Sequence, residues 1–301
     1  MKSQPYHISV PPKTQFLNSF RRLFIVSGFD KVLANFTRNN KINSFPAKLI
    51  PPNYLYPPGT TRTSFYDGIS FNVDISEYNG HGVYFGLNEP ATQKLYSLIK
   101  PGMIVYDIGA NIGVITLNVA KKMLQQGKVF LFEPSPYNFK CAKANIDRNN
   151  FSNITLLNLG LGNEKTTAFL YNVNTNNRGM QRLLQSDPNK EFEKTEVQID
   201  TLDNTTQALS MPAPSLIKID VEGFELKVLK GANHIIDEYK PLLFIELDDN
   251  NLREQGNTAG ELVKFLMQKG YNITNATSGN KINQQTDFTN FHFDVLCTAE
   301  S

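Results

Sequence analysis

Apolar and polar positions change their period several times along this chain, and the changes predict its elements. Over residues 14–37, Phe16, Phe20, Leu23, Phe24, Val32 and Leu33 recur at spacings of three and four, with Arg21, Arg22 and Lys31 between them. That pattern predicts a basic amphipathic helix. Packing on its own domain is the ordinary use of such a face; a membrane surface, a second subunit or another partner is the alternative. Lys48 to Thr61 is proline-rich and reads as an extended linker or cover. Ser64 to Phe71 reads as a hairpin, with Asp67-Gly68 as its turn. His81 to Glu89 reads as a loop, and Pro90 opens a helical pattern that runs to Ile99.

From there strand and helix periods alternate. Strands are predicted at 103–108, 128–132, 154–158, 215–219 and 241–247, and helices at 112–126, 136–149, 225–239 and 258–269. Ser135 and Pro136 supply a cap and a first-turn proline for the second of these helices. Repeated βα units imply a mostly parallel sheet covered on both faces. Tyr271–Thr274 and Phe291–Thr298 lack an intervening helix, which predicts an antiparallel pair at one edge. The polar segment 172–196, containing Asn172, Asn174, Asn176, Asn177, Arg178 and Gly179, reads either as a functional lid or as disorder.

Bulk composition narrows the function classes. The 301 residues suffice for one α/β domain of about 200 residues plus an extension. A net charge of +2 gives no footprint for nucleic acid. Cys141 and Cys297 make no disulfide framework and read as small packed thiols. Met1 to Pro12 shows no basic head followed by an apolar core, and the longest apolar runs are too short to cross a bilayer. No transmembrane segment is expected, and the cytoplasm is the expected location.

The chemistry gathers at strand ends. Val105 to Gly113 reads as a buried strand, a glycine turn and the start of a helix, which sets unpaired N–H groups beside bare backbone. A nucleotide-like or anionic ligand fits there, although the glycines are spaced G-x-x-x-G rather than G-x-G-x-x-G. Glu133 ends the second strand 24 residues after Gly109, where a carboxylate can accept bonds from vicinal ribose hydroxyls. Asp107 either holds the glycine turn or reaches a ligand ammonium through water. Asn111 either caps the helix or touches the same amino-acid tail.

Ile217 to Gly223 repeats the strand-to-turn arrangement, with Asp220 and Glu222 at its top, and Glu246 ends the next strand in a buried setting that makes a lone acid costly. These acids are candidates for a general base, a hydroxyl-orienting group or an oxygen-ligand metal site; helix capping is the structural alternative. His7, His81, His234 and His292 form no metal spacing. His81 stands between two glycines just before the core domain and is a candidate catalytic or acceptor-binding group.

Assembled, these pieces resemble the FkbM family of S-adenosylmethionine-dependent methyltransferases. The matching motifs are Asp107-Ile108-Gly109-Ala110-Asn111-Ile112-Gly113, Phe132-Glu133-Pro134-Ser135-Pro136 with Asn138-Phe139 and Asn145, and Asn158-Leu159-Gly160-Leu161-Gly162. Leu202-Asp203, Lys218-Ile219-Asp220-Val221-Glu222-Gly223-Phe224-Glu225, Leu229-Lys230-Gly231-Ala232 and Phe244-Ile245-Glu246 follow in order. The resemblance spans residues 80 to 298. It implies a Rossmann-like, seven-stranded class I methyltransferase sheet over residues 81–301, with residues 1–80 as an extension. It implies methyl transfer to a hydroxyl of a saccharide or natural product. Asp107, Gly109, Ala110, Asn111 and Gly113 would hold the methionine part of the cofactor, and Glu133 with Pro134 the ribose. Asn158, Leu159 and Gly160 would border the adenine. Asp220 would serve both cofactor and catalysis, with Glu222, Glu246 and His81 as further candidates for proton transfer. A divalent metal held by the strand-end acids is an open alternative.

Three rivals remain at this level. A nicotinamide-dependent dehydrogenase shares the strand, turn and ribose acid but lacks G-x-G-x-x-G. A nucleic-acid methyltransferase would carry Asn-Pro-Pro-Tyr or Asp-Pro-Pro-Tyr where Asp220-Val221-Glu222-Gly223 stands. A non-catalytic cofactor-binding partner protein would use residues 1–60 to bind another chain.

Overall fold

A computed structural model describes residues 12–26, 28–38, 44–87, 89–172, 181–183, 194–289 and 292–300. The chain divides into two compact units, one built from residues up to Pro90 and one from Ala91 to Tyr171 and Gln181 onward.

In the first unit, helices α1 (Pro12–Arg21) and α2 (Phe29–Thr37) stand where one helix was expected over 14–37. The break falls at a 3-10 turn over Arg22–Phe24 and at Gly28, whose φ of 108° no helix accommodates. Lys48–Thr61 is not a loose linker: two short 3-10 turns bury Ile50 and Tyr56. Strands β1 (Thr61–Tyr66) and β2 (Ile69–Asp74) form the expected hairpin, with positive φ at both Asp67 and Gly68 as a two-residue turn of this hand requires. The loop expected from His81 is instead helix α3 (Tyr78–Phe85). Tertiary packing overrides the low helix propensity of its glycines: Tyr84 and Phe85 are buried, and α3 packs on β1, β2 and α2.

The second unit opens with α4 (Pro90–Leu98) and then alternates: β3 (Ile104–Ile108), α5 (Val114–Lys122), β4 (Lys128–Phe132), α6 (Pro136–Asp147) and β5 (Ile154–Leu157). Four short strands come next, β6 (Gly160–Leu161), β7 (Thr166–Asn172), β8 (Gln181–Leu183) and β9 (Lys194–Asp200), followed by α7 (Leu202–Ala208). They form a second sheet in the order β6-β9-β7-β8. The polar stretch 172–196, expected as lid or disorder, thus contributes strand residues at 181–183 and 194–196; residues 173–180 and 184–193 lie outside the described residues. The chain continues with β10 (Leu216–Ile219), α8 (Glu225–Lys230), α9 (Asn233–Tyr239), β11 (Leu242–Asp248), α10 (Asp249–Glu254), α11 (Ala259–Gln268), β12 (Tyr271–Asn275), β13 (Lys281–Ile282) and β14 (His292–Ala299). The single helix expected over 225–239 is two, because α9 starts afresh with the N–H groups of His234 and Ile235 bonded to the Asp203 carboxylate.

The main sheet has eight strands in the order β13-β12-β14-β11-β10-β3-β4-β5, one more than the expected seven. β11, β10, β3, β4 and β5 are mutually parallel, and β14 runs antiparallel between β11 and β12. The two-residue β13 takes the outermost place beside β12. This is the Rossmann-like α/β arrangement. Burial on both faces explains the near-continuous apolar strands. On one face Val105, Val129, Leu216 and Phe244 pack with Leu95, Val119 and Met123. On the other, Tyr106, Ile108, Ile217 and Ile245 pack with residues of α8, α9 and α11. No helix among the described residues is long and apolar enough to cross a membrane. Among the described residues no disulfide forms; Cys297 is buried and Cys141 partly so.

Candidate active site

The C-terminal ends of parallel strands are where open α/β sheets bind ligands, and the charged side chains of the second unit converge there. The first corner follows β3. Gly109 has a φ of 77°, and a Cβ at that position would collide with the carbonyl oxygen of Asp220 on the neighbouring corner. Only glycine permits this approach of the two turns. The N–H groups of Gly109 and Ala110 both bond to the Phe132 carbonyl, and Gly113 precedes α5. Glu133, at the end of β4, clasps the corner: one carboxylate oxygen accepts from Asn111 N–H at 2.8 Å and the other from Ser135 N–H at 2.9 Å. Burial pushes this carboxyl up to about 7 despite those bonds. The Asn138 side chain adds a further hydrogen bond to the carboxylate. Asn158 donates to the carbonyls of Glu133 and Pro134 and so secures the following turn. Leu159 is partly buried against the core, and Gly160 lies in β6 rather than in a free turn.

Asp107 is fully buried and shares its face of the sheet with Lys218, its register partner on β10. Lys218 Nζ lies 3.6 Å from Asp107 and 3.2 Å from Asp220, and donates to the Gly109 carbonyl at 3.1 Å. The second Asp107 oxygen accepts from Thr116 Oγ1 on α5. Burial disfavours the Lys218 charge, but Asp220 and Asp107, then Glu246, outweigh it and raise the lysine above its ordinary value. One buried cation therefore ties the two corners together.

The second corner follows β10. Glu222 adopts a φ of 54° and accepts from Asn251 Nδ2 at 2.9 Å. Gly223, at φ 99°, passes so close to the Asn251 carbonyl that a side chain would collide with it. Glu225, in the first turn of α8, uses a single oxygen to accept both Val221 N–H and Gly223 N–H. Burial raises its carboxyl to about 7 as well. Asp220 remains substantially open to solvent.

Next along the edge comes Glu246 on β11. Burial first, then the negative charges of Asp220, Glu222, Glu225 and Asp294, drive its carboxyl well above the usual range. The antiparallel register sets Asp294 opposite Glu246 and His292 opposite Asp248. His292 Nδ1 lies 2.9 Å from Asp248, while its Nε2 is 3.6 Å from Glu246. Asp248 is itself held by the N–H groups of Asn250 and Asn251 at the start of α10. Burial opposes charge on His292, but the bond to Asp248 and the charges of Asp248, Asp294 and Asp220 prevail and raise it.

The structure thus brings Asp107, Gly109, Asn111, Glu133, Asp220, Glu222 and Glu246 to one edge. His81 is placed within the first unit: its Nε2 is 2.8 Å from the Pro51 carbonyl, its ring packs on Phe85 and Tyr56, and burial lowers it to about 4. Lys218, Glu225, Asp248 and His292 were not singled out by sequence reasoning. The register that pairs β14 with β11 was the missing signal for His292. Among the described residues no group of three or more His, Cys, Asp or Glu side chains is arranged to hold a metal ion.

Comparison with known proteins gives the same picture of kinship. The chain is 28% identical over 189 residues to Methyltransferase 1 of Beauveria bassiana (strain ARSEF 2860), covering 56% of this chain and 72% of the relative. It is 26% identical over 199 residues to Methyltransferase sdnD of Sordaria araneosa, covering 56% and 74%. A crystal structure of Methyltransferase FkbM from Methylobacillus flagellatus KT aligns over 95% of this chain and 59% of that one, with 17% identity and a TM-score of 0.43. Residues 107–273, more than half of the sequence, match the Methyltransferase FkbM domain, and the chain belongs to that family.

Proposed function

We propose that this protein is an S-adenosylmethionine-dependent O-methyltransferase whose acceptor is a hydroxyl of a saccharide or natural product. The observation that carries the reading is the shared edge. A glycine corner clasped by Glu133 adjoins Asp220 and, beyond it, the His292–Asp248 pair. A nucleotide-type site therefore neighbours a proton acceptor.

The residues fit the cofactor by their chemistry. Glu133, which accepts from Asn111, Ser135 and Asn138, retains acceptor capacity for a ribose hydroxyl. The open Asp220 carboxylate suits a ligand carrying ammonium and sulfonium charges. Asn111 and Gly113 border the methionine part, and Asn158 to Gly160 the adenine. When bound, the cofactor supplies an electrophilic methyl group on sulfonium sulfur, so the protein has only to position the acceptor and take its proton.

His292 suits that proton. Asp248 orients the ring through Nδ1, which sets the basic nitrogen at Nε2, on the Glu246 side of the exposed ring. Asp220 and Glu222, with Glu246 beside them on the same edge, orient the hydroxyl. Cys141 and Cys297, neither in a disulfide, suit the cytoplasm.

Isothermal titration with S-adenosylhomocysteine tests the reading, with Glu133→Ala alongside. Micromolar binding that collapses in the variant supports it and opens a screen of sugars and glycosylated products for methyl transfer. A folded wild type that does not bind overturns it.

A further inference from the structure

Helix α1 reverses the usual arrangement of a surface helix. The one residue it buries is polar: Asn18, whose amide donates to the Tyr54 hydroxyl at 2.9 Å. Arg21 anchors the same helix to the Lys48 carbonyl. Its apolar side is left outward, with Phe16 83% exposed and Phe20 more than half exposed four residues on, and Leu23 in the 3-10 turn that follows is more than half exposed as well. Helix α2 does bury one side, through Leu33, Ala34, Thr37 and the Asp30–Arg62 ion pair. On its other side Phe29, Val32 and Phe36 recur at i, i+3 and i+7, again more than half exposed. Exposed apolar faces of this size mark interaction surfaces.

Charge says what covers them. The first 66 residues carry nine Lys and Arg against one acid, Asp30, which is buried and paired with Arg62. The remaining residues carry 21 against 27. Lys13, Arg22 and Lys31 are exposed among the outward apolar residues. Helices of ten and nine residues are too short to span a bilayer, which takes about 20, but suit lying in its surface.

We propose that residues 12–37 bind an anionic phospholipid surface, with the outward Phe, Leu and Val side chains in the headgroup–acyl boundary and Lys13, Arg22 and Lys31 against lipid phosphates. A second copy of the same face fits less well, since it would bring like charges together, whereas anionic lipid attracts each of these cations. The lipid contact is independent of the chemistry at the sheet edge.

The test is flotation of the full chain with vesicles of phosphatidylcholine alone or with one third phosphatidylserine. Binding is expected to be about tenfold stronger on the anionic vesicles and to weaken as salt rises. F16S/F20S is expected to lose it by a similar factor, with a thermal melt lowered only slightly, because Phe16 is 83% exposed and Phe20 gives up one edge contact with Phe24. R22E/K31E should lose the anionic preference without touching the apolar face. Absence of binding by folded wild type overturns the proposal, as does equal binding to both vesicles. A protein-only dimer in sedimentation equilibrium that F16S/F20S dissolves would assign the face to a second copy instead.

Discussion

The corners after β3 and β10 solve one problem in two ways. Each turns a buried strand into a helix through residues of positive φ, and each is tied by a glutamate whose carboxyl burial lifts to about 7. Glu225 belongs to its own corner and satisfies two N–H groups with one oxygen. Glu133 comes from the next strand and spends one oxygen on each of two separate turns. The Glu225 clasp is therefore local to its own corner, while the clasp of the β3 corner depends on its neighbour's position. The acid of the dependent corner holds the loops of two strands in place at once, which is what a ligand bridging them requires.

Lys218 is where the comparison breaks most severely. Its ammonium faces Asp107 on one corner and Asp220 on the other. Lys218→Met leaves a fully buried Asp107 without its countercharge, and a loss of about 3–5 kcal/mol is expected in a denaturant melt. Lys218→Arg should recover part of it. If the methionine variant is as stable as wild type, the lysine does not couple the corners.

Beyond the β10 corner, His292 is exposed, so its replacement should spare the fold and strike activity. With an acceptor in hand, His292→Ala is expected to lower kcat by about 10²–10³-fold, with KM little changed. Asp248→Asn should lower kcat less and move the acidic limb of the kcat/KM profile to lower pH, because the carboxylate that raises His292 is gone. A variant profile superposable on wild type removes His292 as the base.

Glutamine separates the two clasps directly. Glu225→Gln keeps the single oxygen that accepts both N–H groups, so a cost within about 1 kcal/mol is expected at low pH. Glu133→Gln turns one acceptor into an amide N–H₂ that faces a backbone N–H, and about 1–3 kcal/mol should be lost. Its affinity for S-adenosylhomocysteine should drop at least about tenfold with that lost geometry. Equal costs for the two substitutions would erase the distinction between the corners.

How far these features could be read in the sequence follows the same division. Asp107 to Gly113, Glu133 and the strand-ending acids were legible because glycine turns and apolar runs are local signals. So were the five parallel strands, whose runs are continuous because both faces are covered. Lys218 was legible only as a letter of a motif, since its partner Asp107 lies 111 positions away and meets it by strand register. His292 was hidden for the same reason: β14 must first pair antiparallel with β11 before Asp248 becomes its neighbour. His81 erred in the other direction. Its flanking glycines suggested an open loop, but α3 packs it against Phe85 and the Pro51 carbonyl.

The finest distinction between the corners is in their protons. The Glu225 carboxyl rises from the ordinary 4.5 to about 7 on folding. Below pH 4.5 it is protonated in both states. Between 4.5 and 7 the folded chain holds a proton that the unfolded chain has released, so this group's contribution to stability falls as pH rises, and it levels off above 7. Glu133 acts with the same sign, and His81, lowered to about 4, acts with the opposite one between 4 and 6.5. The total slope therefore mixes several groups, and the difference between wild type and Glu225→Gln isolates one. Urea melts at pH 4.5 and pH 8 are expected to show the variant gaining on wild type by on the order of 1–3 kcal/mol across that interval. A constant difference would mean that Glu225 ionises in the folded corner as readily as in water, with the backbone N–H bonds from Glu225 itself, Val221 and Gly223 offsetting the whole cost of burial.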